Sequence, residues 1–138
     1  MARLDLIHHA VKDALIKDGW TITADPYIIQ YGDVKLFADL AADKIIAAER
    51  AEQKIVVEVK SFAQASQIHE LQTALGQYEI YRGFIEVIEP ERKIYLAISE
   101  DVFEQFFSRS AIQFIVQRFQ VSLIVVDVDK EEVVKWKD

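Results

Sequence analysis

Residues 121–128, VSLIVVDV, narrow the fold more than any other stretch of the chain. Successive side chains on a strand point to opposite faces, so Leu123, Ile124, Val125 and Val126 present apolar groups to both sides. A strand of this kind is buried on both faces, and cover above and below a sheet comes from helices. The chain therefore has to supply helices as well as strands.

The order of its elements meets that demand. Residues 4–18 repeat apolar positions at helical spacing through Leu4, Val11 and Leu15, with Ile7 and Ala14 beside them, and Gly19 stands where a helix would stop. WTIT and YIIQY read as extended segments around Asp25 and Pro26, and Gly32 with Asp33 marks a turn. VKLFADLA, KIIAAER and KIVVEVK follow as strands, the last two as an antiparallel hairpin interrupted only by the polar AERAEQ. Ser66 caps a second helix that reaches Ile88, with Ile68, Leu71, Leu75 and Tyr78 on its apolar stripe. RKIYLAIS is a strand, and DVFEQFF and SAIQFIVQRF are two short helices ahead of VSLIVVDV. This order predicts one α/β domain over residues 1–138, a mixed central sheet flanked by helices.

Composition bounds the chemistry. At 138 residues and 51% hydrophobic content the core is large enough to fold without staples. Cysteine is absent, which excludes disulfides, thiolate nucleophiles and Cys-based zinc sites, so any metal is held by oxygen or imidazole. The N-terminal MARLDLIHHAVKD lacks the order of a signal peptide and no apolar run is long enough to span a bilayer; the expectation is a cytoplasmic protein with no membrane partner. A net charge of -7 is the wrong sign for a broad nucleic-acid-binding surface, so DNA contact requires a local site or a basic partner.

Residues 54–62, KIVVEVKSF, carry the chemistry that stands out. Ile55, Val57 and Val59 share one strand face, and Val56, Glu58 and Lys60 share the other. The plainest account of Glu58 and Lys60 is an exposed strand pair worth about 0.2–1 kcal/mol. With a hairpin turn near Ala51, however, cross-strand counting brings Asp43 close to Lys60 and Glu58 close to Ile45, so Asp43 reaches the same end of the hairpin. Residues two apart on a strand are separated by roughly 6.5 Å, close enough for carboxylates on neighbouring strands to share one cation. Mg²⁺ takes oxygen ligands at about 2.0–2.1 Å and keeps several waters, a shell that two carboxylates, the Val59 carbonyl and a substrate phosphate would complete.

Asp43, a hairpin and then Glu58-Val59-Lys60 resemble the active site of PD-(D/E)XK nucleases, and Gln77 with Tyr81 in GQYEIY looks like the QxxxY motif on the helix that follows in some branches of that superfamily. DGWTITADPY, FADLAADKIIAAE, VVEVKSF, ALGQYEIY and RKIYLAIS, in that order, resemble the XisH family, the fdxN element excision controlling factors of cyanobacteria. The resemblance covers nearly the whole chain up to Ile98. It implies a restriction-endonuclease-like αβββαβ core, an association with developmentally regulated DNA excision, and an XisI-like protein and a site-specific recombinase as partners; a homo-oligomer is left open. No Pro-Asp pair precedes the hairpin, and Asp39, four residues before Asp43, is a rival for the first carboxylate.

The chemistry implied by the nuclease resemblance is metal-assisted phosphodiester hydrolysis. Asp43 and Glu58, with the Val59 carbonyl, would hold Mg²⁺ or Mn²⁺, Lys60 would orient the attacking water, and Gln77 would position the nucleophile or a strand. Tyr81 lies on the helix face of Gln77, where both either serve the substrate or pack against the sheet. His8 falls on the stripe of Leu4, Val11 and Leu15, either as a hydrogen-bonded core histidine or facing the site from the first helix. Two functions remain open: a metal-dependent DNA endonuclease acting in element excision, and a non-catalytic interaction module that binds XisI or a recombinase.

Overall fold

The computed structural model describes residues 3–46 and 51–138. The elements are α1 (Arg3–Lys17), β1 (Thr21–Ala24), β2 (Tyr27–Tyr31), β3 (Val34–Ala38), β4 (Leu40–Ile46), β5 (Ala51–Val59), α2 (Gln67–Ile88), β6 (Arg92–Ser99), α3 (Glu100–Gln105), α4 (Ser110–Arg118), β7 (Leu123–Asp127) and β8 (Glu132–Lys137). The main sheet has six strands in the order β1-β4-β5-β6-β7-β8, and β2 with β3 makes a separate two-stranded sheet. β5, β6 and β7 run parallel, while β1, β4 and β8 are antiparallel to their neighbours. Helices provide the long crossovers that parallel neighbours need.

The mixed α/β sheet expected from the sequence is the one observed. Leu123 and Val125 of β7 enter a core with Leu71, Tyr78 and Ile85 of α2, and Ile124 and Val126 enter a second core with Ile7, Val11 and Leu15 of α1. The same alternation places Val56 of β5 on the α2 side and Ile55, Val57 and Val59 on the α1 side. α1 ends as Gly19 predicts: φ there is +93°, the Gly19 amide donates to the Ile16 carbonyl, and the Trp20 amide reaches back to the Leu15 carbonyl. Ser66 caps α2, its hydroxyl accepting from the His69 amide at 3.3 Å.

Four expectations need correction. Ile68 is exposed, because the buried stripe of α2 runs through Glu70, Leu71, Ala74, Tyr78, Tyr81 and Ile85. VKLFADLA is two strands in two different sheets, parted at Asp39. β8 has no counterpart in the reading above: its polar EVVKWK hides an edge strand whose Trp136 packs 5.1 Å from the Tyr95 ring and 5.6 Å from Trp20. The hairpin register also differs, since Ile46 pairs with Ala51 and the turn between them lies outside the described residues. Among the described residues no helix is long and apolar enough to cross a membrane.

Candidate functional site

The break at Asp39 builds the site. Leu40 opens β4 opposite Val57 of β5, so the residue before Leu40 falls beside Glu58. The Asp39 amide donates to Glu58 Oε1 at 3.3 Å, and the Val59 amide donates to Asp39 Oδ2 at 2.7 Å. Each carboxylate is thus held by the other segment's backbone. Lys60 Nζ lies 3.4 Å from Glu58 Oε2. Beyond Lys60 the chain turns at Phe62, a buried residue at φ +51° whose ring contacts Phe106 and Phe107. That left-handed backbone costs on the order of 1 kcal/mol for a bulky residue, and the aromatic cluster offsets it.

Glu58 is only 6% exposed, and its burial followed by the charge of Asp39 pushes its carboxyl up to about 7, against the pull of Lys60. α2 covers this side. Tyr81 donates from its hydroxyl to the Phe37 carbonyl at 3.1 Å, and burial together with the Glu58 and Asp39 charges raises it to about 12, so it stays a neutral donor. One turn earlier Gln77 is half-buried with Oε1 lacking any hydrogen-bond partner. From α1, His8 places Nε2 at 3.1 Å from Asp25 Oδ1 and Nδ1 at 3.9 Å from Asp39 Oδ1. It therefore faces the site, the second of its two expected settings. Burial works against the Asp25 charge, but Lys12 at 2.7 Å and His8 outweigh it and hold that carboxyl below its usual range.

Asp43 does not come here. It pairs with Lys54, not Lys60, which leaves it four residues along the hairpin from the Asp39 position, about 13 Å at the rise of a strand. There Arg92 Nη1 binds Asp43 Oδ1 at 2.9 Å. The expected turn near Ala51 was too late in the chain, and a late turn slides every cross-strand partner. The rival residue, Asp39, takes the place beside Glu58. Glu70 was not singled out in the sequence at all, although it shares a helix face with Gln77 and Tyr81. An acidic residue on the inward stripe of an amphipathic helix was the signal available.

Asp39, Glu58 and the Val59 carbonyl offer only oxygen donors. The Asp39 charge raises the Glu58 carboxyl, and two carboxylates brought this close favour a cation between them. Among the described residues no group of three or more His, Asp or Glu side chains is placed to hold a metal ion. Two carboxylates and one carbonyl are too few for an all-protein cage and would leave an ion such as Mg²⁺ several of its waters.

The XisH protein family model matches residues 1–134. The chain is similar to an XisH family protein from Nostoc punctiforme PCC 73102, at 40% identity with a TM-score of 0.88, over 97% of this chain and 100% of that one. It is similar also to a fdxN element excision controlling factor protein from Anabaena variabilis, at 44% identity with a TM-score of 0.87, over 97% of this chain and 99% of that one. No match was found among curated proteins.

Proposed function

This chain belongs to the XisH family, and from that premise and the geometry at the end of β5 we propose that it is a metal-dependent DNA endonuclease of the PD-(D/E)XK kind, acting in programmed excision of a DNA element. The observation that carries the reading is the reciprocal clasp of Asp39 and Glu58 with Lys60 beside it. Asp39, Glu58 and the Val59 carbonyl would hold Mg²⁺ or Mn²⁺. When bound, such an ion lowers the pKa of water and neutralises charge that builds on a phosphate. Lys60 supplies a mobile ammonium that orients the attacking water and faces the same charge. Gln77 Oε1 is an acceptor in want of a donor, suited to hold that water. Tyr81 fixes the end of β3 through the Phe37 carbonyl and so positions Asp39.

Calorimetric titration with Mn²⁺ tests the site. Binding is expected in the parent, lost in Glu58→Ala, and kept in Asp43→Ala. Unchanged binding in Glu58→Ala would sink the assignment. A charge of -7 further supports DNA binding only in company with a basic partner, for which an XisI-like protein or a recombinase is our candidate. Tight, salt-sensitive binding of duplex DNA by the chain alone, measured by anisotropy, would contradict this.

One observation favours a second reading as an interaction module. Ile28 and Phe37, 50% and 52% exposed, pair across β2 and β3 on the outer side of the hairpin that leads into Asp39. An apolar surface so placed suits protein contact. Retention of partner binding in a Glu58→Ala chain that has lost cation binding would separate the two activities.

A further inference from the structure

Glu70 has no part in the chemistry above, yet it lies on the helix face that carries Gln77 and Tyr81. It stands in the first turn of α2, is only 8% exposed, and its Oε2 has no hydrogen-bond partner. A buried acceptor left unmatched costs about 1–3 kcal/mol, more when charged, so a carboxylate kept in such a place asks for a donor. The Lys60 ammonium is the cation whose charge reaches it: burial raises the Glu70 carboxyl, and Lys60, then the Gln64 backbone, act in the opposite direction. Yet among the described residues the ion pair of Lys60 is with Glu58, at 3.4 Å.

That contact would be weakened by a second cation on the same carboxylate. A divalent ion held by Asp39 and Glu58 would repel an ammonium seated against Glu58, and Lys60 has a flexible four-carbon stem on which to leave. We propose that Glu70 is the second seat of the Lys60 ammonium: cation uptake by Asp39 and Glu58 displaces Lys60 from Glu58, and the unmatched Oε2 of Glu70 receives it. Glu70 is then a positioning residue that acts through Lys60. It tightens cation binding by keeping the displaced charge neutralised, and it fixes where Lys60 stands when substrate arrives. The inference rests on the cation site proposed above.

The test is Mn²⁺ titration calorimetry on the intact chain in four forms: parent, Glu70→Gln, Lys60→Met and the double variant. Glu70→Gln is expected to weaken Mn²⁺ binding by about three- to tenfold, the size of coupling that neighbouring charges show. In the Lys60→Met background the same substitution is expected to change affinity little, because nothing is left to seat. Equal affinity of Glu70→Gln and parent would overturn the proposal, and so would an equal loss with and without Lys60, which would make Glu70 a general source of negative field. Absence of binding in the parent would remove the cation site itself, and this inference with it, a result distinct from either. Should Glu70→Gln fail to fold, Glu70→Asp, which keeps the charge but shortens its reach, is read in the same cycle with the same expected loss.

Discussion

At one end of β5, Arg92 sits between Asp43 and Glu89; at the other, Lys60 sits beside Glu58 and Asp39. Both groups set one cation against two carboxylates, yet they behave differently. Arg92 sends directed bonds to Asp43 at 2.9 Å, Glu89 at 3.0 Å and the Ile55 carbonyl at 3.2 Å, and Tyr27 adds its hydroxyl to Glu89 and its ring beneath the guanidinium. The planar fork satisfies two acids at once. Among the described residues Lys60 makes one long ion pair, and the carboxylates beside it rely on each other's backbone. What separates the two clusters is the distribution of bonds, since the tally of charges is the same.

The largest effect expected from breaking this comparison is on the Arg92 side. Arg92→Met strands two carboxylates and should cost about 3 kcal/mol in urea denaturation. Lys60→Met, measured at pH 6, should cost less than about 1 kcal/mol, because Glu58 can take up a proton in place of its lost partner. Equal costs would mean that the two clusters do the same structural work.

A next effect concerns pH. Glu58 in the folded chain titrates at about 7, above its ordinary 4.5, so the folded state binds that proton more tightly than the unfolded state. Its stabilisation is complete below pH 4.5 and lost as pH rises to 7. Relative to Glu58→Gln, the parent should lose about 3 kcal/mol of stability over that interval, followed by denaturation at a series of pH values. The smallest effect is on melting. Mg²⁺ at about ten times its dissociation constant adds roughly 1.4 kcal/mol to the folded state, a few degrees in Tm, in the parent and in Asp43→Ala but in neither Asp39→Ala nor Glu58→Ala. Superimposed melts of the parent with and without Mg²⁺ would move the balance to the interaction module.

The elements were legible in the sequence where one local cause decides them. Gly19 stops α1, Ser66 starts α2, and the apolar run of β7 announces cover on both faces. The pair Glu58 and Lys60 was legible because strand alternation puts both on one side. The partner of Glu58 was not, since choosing between Asp39 and Asp43 requires the register of β4 on β5. AERAEQ holds neither Gly nor Pro to mark the turn, and an error in its position shifts every facing residue. Glu70 escaped notice for another reason: helical spacing shows which way a side chain points, while its lack of a partner is a property of the assembled fold.

The clasp between Asp39 and Glu58 also equips the chain with its own spectroscopic reporters. The amides of Asp39 and Val59 donate to carboxylates, so their NMR shifts respond to whatever charge those carboxylates carry. Protonation of Glu58 would move the Asp39 signal first, whereas an ion shared by both acids would move the two together. A pair of backbone resonances can therefore distinguish a proton from a metal, with no labelled ligand and no altered side chain.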